Sequence, residues 1–126
     1  MNTRRELLKA LGLTPLMVGL AAQLQAATTF TRVDLGKGLT LIQGAGTNVV
    51  VAEGADGVVI INGGSQDKAE ALLAEIKQLT HNKPVKALFN TNWRPEHLGL
   101  NYLLGATGTA IYAHENTRLW QNADFY

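Results

Sequence analysis

Between a strand-like run and a short helical run the chain reads Asn90-Thr91-Asn92-Trp93-Arg94-Pro95-Glu96-His97-Leu98-Gly99-Leu100-Asn101. Upstream, Val85 to Asn90 has the length and composition of a buried strand, and Pro84 opens it after Asn82-Lys83. Downstream, Leu98, Leu100, Leu103 and Leu104 fall at the spacing of a short helix that Gly105 to Gly108 end. The polar and charged residues from Thr91 to His97 therefore occupy a loop between strand and helix.

Working outward from this loop, the amino-terminal side carries three β-branched runs, 39–43, 48–53 and 57–61. Gly44-Ala45-Gly46 and Gly54 to Gly57 separate them, which predicts an antiparallel meander with Asp56-Gly57 in its last turn. Asn62-Gly63-Gly64-Ser65 breaks the pattern, and Ser65 is placed to accept hydrogen bonds from the first amides of a helix. Ala69, Leu72, Leu73, Ile76 and Leu79 then recur at helical spacing, with charged residues between them, giving an amphipathic helix of about four turns. On the carboxyl side, 109–113 forms another strand and 114–120 a further helical segment. The order of strands, helix, strand, helix, strand, helix describes half of a layered α/β domain. Gly44-Ala45-Gly46 is not a dinucleotide fingerprint, because Val49 stands where its third glycine belongs and a strand follows instead of a helix.

With 126 residues, there is room for one modest core and not for a multi-domain enzyme. The net charge of +1 is concentrated at the start, where Arg4, Arg5 and Lys9 face only Glu6. Without those four, 8 basic and 9 acidic residues remain, a balance that gives no electrostatic footprint for nucleic acid or an anionic membrane. The same start has the order of a secretory signal: a basic opening, an apolar stretch from Ala10 to about Ala22, and the small pair Ala26-Ala27. The apolar stretch holds Gly12, Pro15 and Gly19 and is shorter than the roughly 20 residues of a membrane-spanning helix, so no stable membrane anchor is expected. Thr3-Arg4-Arg5-Glu6-Leu7-Leu8-Lys9 resembles the twin-arginine export signal, implying a leader over 1–26, passage through the twin-arginine export machinery and a periplasmic or secreted destination. The absence of cysteine fits an oxidising destination and removes thiolates from the possible metal donors.

The loop itself resembles the metal-binding loop of the metallo-β-lactamase superfamily, whose pattern is Asn-Thr-His-x-His-x-Asp-His-x-Gly-Gly-Asn. Asn48 to Gly64 is similar to that family's paired strands ending in Ile-Asp-x-Gly, and Ala113 to Arg118 is similar to the segment after the next strand. The resemblance implies a fold class of layered α/β type. It corresponds over 27–126 to the amino-terminal half of an αββα sandwich, with an antiparallel or mixed sheet and flanking helices.

It also implies which positions would hold zinc, and these are where the chain departs from the pattern. The first two histidine positions fall on Asn92 and Arg94, the aspartate position on Glu96, and only His97 is kept. Asn62 stands where the family has the aspartate that ends its strand, a position behind the ligands. Catalytic zinc needs about three nitrogen, sulfur or carboxylate donors and an open position for water. Glu96 and His97 offer two at most, and Asn92 only a neutral amide oxygen. Arg94 stays protonated, and at ~4 Å and an effective dielectric near 20 a unit charge repels another by about 4 kcal/mol, roughly doubled for a dication. That is a large share of the roughly 10–16 kcal/mol a complete structural zinc site provides. Zinc is therefore possible through Glu96 and His97 but not favoured, and no other cofactor is indicated.

Three arrangements of the loop stay open. In one it is a polar loop in which Glu96 pairs with Arg94, Asn92 satisfies nearby backbone and His97 caps the following helix. In another Glu96 and His97 bind one metal with a donor from elsewhere. In the third the residues shape a pocket for a small ligand without metal. His81 reads as a surface residue, His114 as structural, and Trp93 and Trp120 as packing residues, with Trp93 placed to line a pocket.

Because 122–126 follows soon after the third helix, the family's second half is expected to be missing. Either the reading frame is truncated or the half-domain pairs with a second copy or a separate second-half chain across an exposed apolar sheet face. The functions compatible with this reading are a catalytically silent or truncated hydrolase-like protein, a single-metal hydrolase of an ester, thioester or amide completed by a partner chain, and a non-enzymatic periplasmic binding or assembly subunit.

Overall fold

The computed structural model describes residues 28–121. The leader expected over 1–26 falls on residues 1–27, which with 122–126 lie outside the described residues. One six-stranded sheet runs in sequence order: β1 (Thr31–Gly36), β2 (Leu39–Gln43), β3 (Val49–Glu53), β4 (Val58–Ile61), β5 (Val85–Asn90) and β6 (Ala110–Ala113). The first four strands are antiparallel, and β4, β5 and β6 are parallel. Helix α1 (Ala69–Leu79) crosses from β4 to β5, α2 (Asn101–Ala106) from β5 to β6, and α3 (Glu115–Gln121) follows β6. Parallel neighbours cannot be joined by a tight hairpin, which is why the helical crossovers begin where the antiparallel meander ends.

The pleat separates the sheet residues into two sets. Ile42, Val49, Val51, Val58, Ile60 and Leu88 share one face and are fully buried or nearly so. Ala69, Leu72 and Ile76 of α1, with Leu100 and Leu104 around α2, complete that core. Burial of a large aliphatic side chain contributes about 1.5–3 kcal/mol, so this one face carries most of the fold's hydrophobic stabilisation. Arg32 of β1 reaches across it to Glu75 and Gln78 of α1.

On the opposite face the register lines up Val33, Leu41, Val50, Ile61, Phe89 and Tyr112 as one apolar row across all six strands. Phe89 and Tyr112 stack at 4.9 Å, yet are 43% and 52% exposed. No described helix packs on this row. The α/β layering expected from the sequence is present, with the helices α1 and α2 on one face of a mixed sheet and the other face bare.

Three local expectations are corrected. Strand β1 was not anticipated; Arg32 and Asp34 alternate with Val33 and Leu35, and a Gly36-Lys37-Gly38 turn, all three at positive φ, returns the chain to β2. Ser65 does not cap a helix with its side chain; its hydroxyl donates to the Ala45 carbonyl at 3.2 Å, and a 3₁₀ turn over Gln66–Lys68 leads into α1. Leu98 and Leu100 precede α2, because Pro95–His97 forms a 3₁₀ turn of its own before the helix starts at Asn101.

Candidate functional site

The carboxyl ends of β4 and β5 and the turn between β2 and β3 meet at one end of the sheet. Asn62, just past β4, adopts φ 67°, a left-handed conformation that asparagine tolerates better than most residues. Its backbone N–H donates to the Phe89 carbonyl, and its side-chain oxygen accepts from both the Thr91 N–H at 3.0 Å and the Thr91 hydroxyl at 2.9 Å. Asn62 therefore ties the end of β4 to the first residue of the loop after β5.

Two backbone hydrogen bonds lock the same pair of segments further along. Gly63 N–H donates to the His97 carbonyl at 2.6 Å and Gly99 N–H to the Gly64 carbonyl at 2.7 Å. The approach is so close that a Cβ on Gly99 would meet the Gly64 oxygen and the Ser65 backbone at 2.6 Å. The glycines of 62–65 and 99 are thus requirements of backbone packing. The sequence marked Gly63 and Gly64 only as a break in pattern, and no periodicity signals such a contact.

Within the loop, the four zinc-motif positions take separate roles. Asn92 accepts the Arg94 N–H on its side-chain oxygen at 2.9 Å, the backbone-satisfying role expected of it in a polar loop. Arg94 is exposed, and no ion pair joins it to Glu96 among the described residues, contrary to the pairing expected in that arrangement. His97 does not cap α2, which has no side-chain cap; its Nε2 instead lies 3.0 Å from the Thr47 hydroxyl in the β2–β3 turn. His97 Nδ1 is buried without a hydrogen-bond partner. Asn90, 5% exposed, donates to the Asn101 side-chain oxygen at 2.9 Å and so fastens β5 to the first residue of α2. His114 accepts the Asn116 N–H on Nδ1 at 3.2 Å, a local contact at the start of α3.

Among the described residues no three His, Asp or Glu side chains come together as a metal-binding group. The Asn92 side-chain oxygen is engaged by backbone, and Arg94 places a guanidinium two residues further along the loop.

Beside the loop, on its way toward the helices, lies a cavity of about 860 Å³. Trp93 and Glu96 line it from the loop, Asp67 from the turn before α1, Tyr102 from α2 and Trp120 from α3. The two tryptophan rings stack at 5.8 Å with 27° between their planes. Trp93 was placed to line a pocket by its loop position. Trp120 joins it only because α3 folds back alongside, which its own neighbours in sequence do not indicate.

No protein-family model matches the sequence, and no curated protein matches it. Solved structures do. The metallo-β-lactamase of Erythrobacter litoralis matches with a TM-score of 0.62 and 18% identity over 73% of this chain and 44% of that one. A metallo-β-lactamase of Pseudomonas aeruginosa in its mono-zinc form gives 0.63 and 18% over 77% and 47%. The enzyme from Hirschia baltica gives 0.61 and 22% over 73% and 46%. The fold is therefore the metallo-β-lactamase fold, as the loop resemblance implied, and the chain spans under half the length of the structures it matches.

Proposed function

We propose that this chain is an exported, hydrolase-like unit on the metallo-β-lactamase fold whose zinc loop does not assemble a metal centre from its own residues, and which is catalytically silent by itself. The observation that carries this reading is the side-chain oxygen of Asn92 bound to the Arg94 N–H, with the Arg94 side chain exposed beside it. One donor position is a neutral amide already hydrogen-bonded and the next is a permanent cation, so a dication meets repulsion where the fold's pattern has imidazoles. Asn62 and Thr91 still hold the loop in place, which makes the site a shaped surface rather than a disordered remnant. Metal analysis of the purified full chain after zinc loading and gel filtration tests this: well under one equivalent is expected, and one tightly held equivalent overturns it.

A second reading is favoured by the buried, unpartnered Nδ1 of His97. In it, Glu96 and His97 hold one metal whose remaining donor comes from a partner, and the site hydrolyses an ester, thioester or amide. His97→Ala then abolishes both metal and turnover in the assembled protein, and unchanged turnover rejects this reading. A third reading is a periplasmic binding or assembly subunit, whose protein partner would still be captured by a Glu96→Gln, His97→Gln variant.

The apolar row from Val33 to Tyr112 supports pairing with a second copy of this chain, since a two-fold arrangement would set the row against itself. Export by the twin-arginine route rests on Arg4-Arg5 and the apolar stretch that follows. The intact mass of the exported protein is expected to show cleavage near Ala26, and Arg4→Lys with Arg5→Lys to block export; an uncleaved chain found in the cytoplasm contradicts it.

A further inference from the structure

We propose that the cavity between the loop and the helices is a binding site for a small organic cation of the N-methylated ammonium class. Its volume of about 860 Å³ lies within the usual range of roughly 300–1,000 Å³ for ligand pockets. The stacked rings of Trp93 and Trp120 form one wall, and Tyr102, 79% exposed, stands on α2 at its mouth. Among the described residues, Asp67 and Glu96 are the charged ones that line it, and no lysine or arginine does. An anion would meet two carboxylates without a counter-charge. A neutral apolar ligand would leave those carboxylates partly desolvated with nothing gained. A cation is attracted by the quadrupole of an aromatic face, worth about 0.5–2 kcal/mol per contact, and has two lining carboxylates as counter-charge. An N-methylated ammonium carries methyl groups that pack on the indoles, so the same group satisfies both the apolar wall and the charge. The amide nitrogen of Gln121, buried without an acceptor at the cavity's margin, suits an oxygen elsewhere on such a ligand.

This inference uses the cavity side of the loop and no metal, and it rests on the first reading above, in which Glu96 carries no metal. The chain has two tryptophans in all, and both line the cavity, so intrinsic tryptophan emission reports on this site directly. The experiment is a fluorescence titration of the full chain in EDTA, with choline compared against its neutral isostere 3,3-dimethylbutan-1-ol. Choline is expected to give a saturable change, and the neutral alcohol to bind about tenfold more weakly. Asp67→Asn with Glu96→Gln is expected to remove about tenfold of the choline affinity, and Tyr102→Leu, at an exposed position, several-fold. Equal binding of alcohol and choline, or no saturable change with choline, overturns the proposal. Should the double carboxamide variant fail to fold, the choline-to-alcohol ratio on the unmodified chain decides alone.

Discussion

The Thr47 hydroxyl and His97 Nε2 stand 3.0 Å apart, joining the turn between β2 and β3 to the loop after β5 across 50 residues of sequence. The loop's histidine is therefore held by a hydroxyl of the same chain. Thr47→Val is expected to lower stability by about 1 kcal/mol. A double-mutant cycle with His97→Leu should return a coupling of similar size, measured by urea unfolding. A coupling near zero would show that the contact contributes nothing.

Gly99 sits where any Cβ meets three backbone atoms at 2.6 Å, so Gly99→Ala has to push the 62–65 and 97–100 segments apart. A loss of about 3 kcal/mol is expected. Gly105 supplies the contrast, since its Cβ would meet only the Ile111 side chain at 3.6 Å and it lies inside α2. There alanine should stabilise by about 0.5–1 kcal/mol through helix propensity. Thermal melts of the two variants should move in opposite directions.

Asn62→Ala removes an acceptor of two hydrogen bonds and places alanine at φ 67°, so a loss of about 2 kcal/mol is expected. Asn62→Asp keeps both the acceptor and the tolerance of that backbone, and should retain most of the stability. Equal losses in the two variants would show that the Thr91 hydrogen bonds are not what Asn62 contributes.

Leu88 and Phe89 are consecutive but belong to opposite faces of β5. Leu88→Ala opens a cavity in the core and should cost about 2–5 kcal/mol. Ile61, in the bare apolar row, should instead govern association: sedimentation is expected to show a dimer that Ile61→Lys returns to monomer. A monomer at all concentrations in the unmodified chain would contradict pairing through this face.

Much of this was readable in the sequence. The β-branched runs of β2 to β4, the 3.6-residue spacing of α1 and the apolar run of β5 each bury one face of one element, and that periodicity is local information. The loop's resemblance to the metallo-β-lactamase pattern was equally plain, and the fold agrees with it. Strand β1 is not legible in the sequence, because all of its residues are exposed and its one cue is a short alternation. The Thr47–His97 pair, the backbone contact of Gly64 with Gly99, and the meeting of Trp93 with Trp120 were not legible. Each joins segments far apart in sequence, and nothing in either segment names its partner.

On the proposed reading, Asn92 and Arg94 are the residues that deny this loop its zinc. The decisive measurement is zinc-binding stoichiometry, taken side by side on the unmodified full chain and on an Asn92→His, Arg94→His variant. Well under one equivalent is expected for the unmodified chain and a clear gain for the variant. One tightly bound equivalent on the unmodified chain, lost in His97→Ala, would contradict it.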